Sequence, residues 1–135
     1  MGAAQTQVRF LSEEYLAEME NLASANQKPI PHVNVRVQFR VTDTPESTVY
    51  FSLVIERGTI VKVFRGRIED SDLAITATYR DLVDFQSGEL HAATAFVTGQ
   101  FAVTGDKAKL LDLMIVLQSG AYHLFVADLW ARTTW

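Results

Sequence analysis

From residue 33 to residue 42 apolar and polar side chains alternate without a break. Val33, Val35, Val37, Phe39 and Val41 are separated by Asn34, Arg36, Gln38, Arg40 and Thr42. Successive side chains of a strand point to opposite faces, so this run requires a sheet with one buried and one wetted face. The segments that follow extend that sheet. Thr44-Pro45-Glu46-Ser47 turns the chain, and residues 49–56 form a more central strand with Val49, Phe51, Leu53 and Ile55 on one face. Arg57-Gly58-Thr59 is a tight turn in which Gly58 supplies a positive φ. Residues 60–68 form a third strand, with Gly66 at a bulge or a close approach. Leu73, Ile75, Ala77 and Tyr79 alternate as a fourth.

Helical spacing governs the rest. Ser12 caps a helix whose first turn carries Glu13 and Glu14, and Tyr15, Met19 and Leu22 line one side of it. Gln27-Lys28-Pro29-Ile30-Pro31 is held extended by its prolines and links this helix to the sheet. Thr78 and Asp81 open a second helix that runs through Leu82, Val83 and Phe85 to a stop at Gly88. Residues 91–98 form a short helix ending at Gly99, and residues 100–104 a fifth strand with Phe101 and Val103 alternating. Asp106 caps a long helix beginning at Lys107. Gly120 interrupts it, and residues 121–131 form a further helix. The expected fold is therefore α+β: a mostly antiparallel five-stranded sheet with helices gathered on one face. It reads as a single domain over residues 1–135, with residues 1–28 an N-terminal helix and linker and residues 121–135 an apolar C-terminal helix and tail.

Composition narrows the function. A net charge of −4 with 21% charged residues offers no basic cluster for nucleic acid and no electrostatic hold on anionic membranes. With no cysteine there is no disulfide, thiolate metal site or Cys nucleophile. The acidic first 26 residues do not read as a secretory signal. The apolar run 113–117 falls far short of the ~20 residues that span a bilayer. A soluble, cytoplasmic protein is the expectation, with no metal or cofactor.

The helix from Lys107 is more apolar than a surface helix needs to be. Leu110, Leu113, Met114 and Leu117 share a face, Leu111 and Ile115 widen it on one side and Val116 on the other, leaving Asp112 nearly alone opposite. A helix resting on a sheet needs a stripe of only about 100°. This one requires a second covering: the C-terminal segment with Tyr122, Leu124, Phe125, Val126, Leu129 and Trp130, a second subunit, or an apolar ligand in a cavity.

Ala95-Phe96, then Gly99-Gln100-Phe101-Ala102-Val103-Thr104-Gly105-Asp106, then the helix over residues 107–117, resembles the C-terminal signature of the sterol-carrier-protein-2 family. Upstream, three alternating strands followed by Asp72-Leu73-Ala74-Ile75-Thr76-Ala77 and the helix over residues 79–86 match that family's order of elements, so the resemblance spans residues 33–117. The motif has structural roles: Gly99 and Gly105 permit reversals, and Asp106 caps. The resemblance implies non-catalytic binding and transport of a fatty acid, fatty acyl-CoA or sterol-like lipid in a tunnel between sheet and helices. The wall candidates are then Phe51, Leu53, Phe64, Phe96, Phe101, Val103, Leu110, Met114 and Leu117. Some family members are domains attached to larger enzymes. The alternative is accordingly an accessory domain that dimerises through its C-terminal apolar helix or docks on a partner enzyme without a ligand, with Trp130 and Trp135 exposed for contact. The tail after Gly120 is then a lid, a dimer surface or part of the pocket.

Catalytic patterns are weak. His32, His91 and His123 are far apart in sequence, without metal-site spacing, and neither a Gly-x-Ser-x-Gly elbow nor a phosphate-binding Gly-rich loop is present. Asp81, Asp84 and His91 are the acidic and imidazole groups that lie close together near the presumed cavity. Arg36 and Arg40, joined by Arg65 or Arg67, are candidates for an anion contact such as the phosphates of an acyl-CoA.

Overall fold

The computed structural model describes residues 7–26 and 28–135, so the N-terminal residues 1–6 and the linker residue Gln27 lie outside the described residues. In chain order the elements are β1 (Val8–Arg9), α1 (Glu13–Asn26), β2 (Val35–Thr44), β3 (Ser47–Glu56), β4 (Thr59–Arg65), β5 (Leu73–Thr78), α2 (Tyr79–Ser87), α3 (Ala92–Val97), β6 (Ala102–Gly105), α4 (Lys107–Leu117), α5 (Gly120–Trp130) and β7 (Thr133–Thr134).

Five strands form one sheet in the order β4-β3-β2-β5-β6. Three of its four pairings are antiparallel, and β2–β5 is parallel, so the sheet is mixed. The parallel pairing arises because β3 and β4 fold back as hairpins on one side of β2 while β5 returns on the other. Alternation sets the faces as expected. Val35, Val37, Phe39 and Val41 are buried beneath the helices and Arg36 and Arg40 are exposed. Register carries this across the sheet, placing Phe39 opposite Phe51 and Ile75, and Ile75 opposite Val103. The Phe39 and Phe51 rings stack at 4.6 Å.

The caps fall where the short polar residues predict them. Ser12 accepts from Tyr15 N–H at 3.1 Å, Thr78 from Asp81 N–H at 3.1 Å, and Asp106 from Ala108 N–H at 2.9 Å. Because Thr78 caps α2, Tyr79 begins that helix and does not continue β5 as its alternation suggests. β4 stops at Arg65, and the register irregularity of the β3–β4 pair lies between Val54 and Ile55, away from Gly66. Helix α1 lies beside the edge strand, where Glu20 accepts from the Val63 N–H at 2.9 Å.

Two features depart from the sequence reading. β1 and β7 pair in parallel, with Val8 N–H donating to Arg132 O at 2.9 Å and Phe10 N–H to Thr134 O at 2.8 Å, so the two ends of the described chain are fastened together. Strands of two residues carry no period to read. Helix α4 does not receive its second covering from the described residues. Leu113, Val116 and Leu117 are buried, but Leu111 is 68% and Ile115 43% exposed. The C-terminal helix packs more on α1 and α2 than on α4. It buries Tyr122, Phe125, Val126 and Leu129 and leaves Leu124 exposed.

Candidate functional site

Between the helices and the buried sheet face lies a small apolar cavity of about 30 Å³. Phe39, Phe51, Leu53 and Ile60 form its sheet wall, with Met19 from α1, Leu82 and Phe85 from α2, Phe101, Leu117 from α4 and Tyr122 from α5 around it. Its volume is that of about one water molecule, well below the several hundred Å³ of a ligand pocket. Aromatic side chains fill the remaining space: Phe85 and Phe96 each meet Phe101 edge-on, at 5.3 and 5.6 Å. Where the tunnel reading places an open passage, the closed structure therefore has a packed core with a small void.

On the outer side of Phe85, Gln86 and Tyr122 lies a groove of about 450 Å³. Its walls come from the end of α2, the start of α3 and α5, including Leu90, His91, His123, Val126 and Trp130. Phe85, Gln86 and Tyr122 border both spaces, so three side chains form the partition between groove and void.

That partition is polar at its centre. Gln86 is buried, its Nε2 donates to the Tyr15 hydroxyl at 2.9 Å, and its Oε1 accepts from the Tyr122 hydroxyl at 2.9 Å. Burial pushes the Tyr15 phenol well above its ordinary pKa, an effect reinforced by the neighbouring Tyr122 and opposed by the Gln86 hydrogen bond. Burial raises Tyr122 likewise. Both phenols stay protonated at any physiological pH, so the cluster is neutral.

Of the nine wall candidates, Phe51, Leu53, Phe101 and Leu117 border the void. Phe96, Val103, Leu110 and Met114 are half-buried and pack against the same core without reaching it. Phe64 stands elsewhere: it pairs with Ser52, whose neighbours Phe51 and Leu53 point to the helices, so Phe64 faces the opposite side of the sheet. Phe64 shares the outer face with Lys62 while Val63 is buried, and the irregularity between Val54 and Ile55 returns only Ile60, beyond it, to the buried face. Sequence reading missed Gln86, Tyr15 and Tyr122. A glutamine in the apolar stripe of α2, between Phe85 and the stop at Gly88, was the available signal.

The charged candidates do not gather at this site. Asp81 accepts from Gln100 Nε2 at 3.2 Å, and Asp84 pairs with Arg80 at 3.4 Å. Neither borders the void or the groove, while His91 lines the groove. Among the described residues no three His, Asp or Glu side chains are grouped to hold a metal ion. Arg36 and Arg40 are on the outer sheet face, so the sheet itself separates them from the void. Arg67 lies over the Tyr50 ring at 4.2 Å, and hydrogen bonding from Arg67 lowers the Tyr50 pKa, with Arg40 adding to the effect. Arg65 turns the other way, donating to Leu11 O at 2.9 Å and pairing with Glu46 at 2.6 Å.

The architecture is an α+β fold whose one five-stranded sheet is covered on one face by helices over a small apolar void. The sequence pattern of the SCP-2 sterol transfer family matches residues 15–118, and the chain belongs to that family. A crystal structure of sterol carrier protein 2 superposes with a TM-score of 0.66 at 16% identity, covering 90% of this chain and 98% of that one. A Thermus thermophilus protein described as possibly a sterol carrier protein gives a TM-score of 0.64 at 16% identity, covering 93% and 95%. The palmitated SCP2L2 of Aedes aegypti gives 0.63 at 16% identity, covering 79% and 94%. No curated protein sequence matches this chain. Helix α5, which supplies Tyr122 and one wall of the groove, lies beyond the stretch that the family pattern matches.

Proposed function

We propose that this chain carries a hydrophobic ligand (a fatty acid, fatty acyl-CoA or sterol-like lipid) between its sheet and its helices and performs no chemistry on it. The observation that carries this reading is the apolar void between sheet and helices, divided from a ligand-sized groove by three side chains. Phe51, Leu53, Phe101 and Leu117 form the inner wall, and Phe96, Val103, Leu110 and Met114 become wall as the space enlarges. Each buried methylene contributes ~0.8 kcal/mol, so a ten-carbon stretch supplies roughly 8 kcal/mol gross towards displacing the packed side chains. Relatives support the class, since one of them is described as palmitated.

Native mass spectrometry of freshly purified protein, followed by denaturing extraction, tests this. A lipid bound at near one per chain is expected. Protein that is empty and takes up neither fatty acid, acyl-CoA nor sterol would sink the carrier reading. A second reading, self-association through the C-terminal helices, rests on Leu111, Ile115 and Leu124, which are 68%, 43% and 76% exposed on adjoining helices. Sedimentation velocity tests it, a dimer being the expected species and a monomer at high concentration the refutation.

A further inference from the structure

Four donor hydrogens sit in the Tyr15–Gln86–Tyr122 cluster, one on each hydroxyl and two on the amide, and the two hydrogen bonds use two of them. The remaining two are buried with nothing to bond among the described residues. Turning the Gln86 amide by half a turn keeps the bond count: Tyr15 O–H then donates to Oε1, and Nε2 donates to the Tyr122 oxygen. In that orientation the two free donors are the second Gln86 N–H and the Tyr122 O–H. Both belong to residues that border the void and the groove. Tyr15 borders neither and acts by holding the amide.

Surplus donors call for an acceptor, and the surroundings restrict its charge. No Lys or Arg lines either space, and the two imidazoles present, His91 and His123, line the groove and not the void. Burying a carboxylate without a cation costs several kcal/mol, whereas a carbonyl oxygen takes two donors with no charge to desolvate.

We propose that the Tyr15–Gln86–Tyr122 cluster recognises the head of an uncharged single-chain lipid by its carbonyl oxygen, as in an acyl ester, in preference to a free carboxylate or a plain hydrocarbon. Gln86 and Tyr122 contact the carbonyl, and Tyr15 is a positioning residue that favours the turned amide. The inference rests on the carrier reading above and narrows it.

The test is equilibrium dialysis of the full chain at pH 8 against methyl laurate, laurate and tridecane, each quantified by gas chromatography, with Trp130 emission reporting groove occupancy. Methyl laurate is expected to bind about tenfold more tightly than either of the other two, the return for one to two neutral hydrogen bonds. The triple variant Tyr15→Phe/Gln86→Leu/Tyr122→Phe should bind all three probes within about threefold of one another, and Tyr15→Phe alone should shrink the ester preference while leaving tridecane binding unchanged. Equal binding of the three probes by the native chain, tighter binding of laurate, or an ester preference that survives in the triple variant each overturns the head assignment and leaves the carrier reading standing. Failure of all three probes to bind removes both.

Discussion

Replacing Gln86 by Leu removes both hydrogen bonds of the partition in one step and leaves the Tyr15 and Tyr122 hydroxyls buried without partners. Each orphaned hydroxyl costs ~1–3 kcal/mol, and the apolar leucine returns part of that, so Q86L should lose about 2–4 kcal/mol. In a chain of this length that lowers Tm by roughly 6–15 °C. Removing the partners as well reverses the loss. Tyr15→Phe/Gln86→Leu/Tyr122→Phe leaves no buried polar atom in the cluster and keeps its shape, which brings stability to within ~1 kcal/mol of the native chain. Urea unfolding followed by circular dichroism, with equal m-values required across the set, measures both differences. The reasoning fails if Q86L loses less than about 0.5 kcal/mol, or if the triple variant is less stable than Q86L. Recovery in the triple variant also has a functional meaning. It would show that the polar cluster contributes little net stability, so that its groups could meet a ligand at small structural cost.

Alkaline titration followed at 295 nm should separate the four tyrosines: Tyr50 ionises below the usual value of about 10, and Tyr15, Tyr79 and Tyr122 above it. Because the raised phenols bind their protons more tightly folded than unfolded, their stability is fully present below about pH 10 and is lost as pH rises towards their folded values. Alkaline unfolding is the expected result, and stability that stays level through that range contradicts it. Gly105 has φ 125°, and a β-carbon there would strike the Asp72 carbonyl, so Gly105→Ala should cost roughly 2–4 kcal/mol by thermal melt; a loss below 1 kcal/mol would show that β5 and β6 can separate freely. Asp106→Ala removes the cap on α4 and should cost about 1 kcal/mol, read in the same melts. Leu111→Ser with Ile115→Ser should leave the monomer's stability within ~0.5 kcal/mol, since both residues face outward, and any dimer should dissociate in sedimentation.

How legible the molecule is depends on how far each signal reaches along the chain. Period-two alternation in β2 and capping residues at Ser12, Thr78 and Asp106 are local, and they located the elements and the buried sheet face. Phe64 shows the limit of that reasoning: without the register of β4 against β3 its parity is ambiguous, and this wall candidate of the family resemblance lies on the outer face of the sheet. The partition is illegible for a different reason. Tyr15 and Gln86 are 71 residues apart and Gln86 and Tyr122 are 36 apart, and no spacing rule connects three elements that meet only after folding. Nor does composition foretell the size of the void. Apolar surplus in α4 called for a second covering of unspecified kind, but the surplus lies on the outside at Leu111 and Ile115 while aromatic rings pack the inside.

The clasp between β1 and β7 gives α5 a fixed anchor at its C-terminal end. Beyond its C-terminal end the chain is bolted to the N-terminal strand by main-chain hydrogen bonds. Trp130 is wedged between Phe10 at 5.2 Å and Trp135 at 4.8 Å, and Arg132 grips Glu18 at 2.9 Å. Its other end starts at Ser119, which donates to Val116 O of α4 through its N–H at 3.1 Å and its hydroxyl at 2.8 Å, and Tyr122 sits one turn in from that joint. α5 is thus anchored at both ends, and between them Tyr122 is held by its hydrogen bond to Gln86.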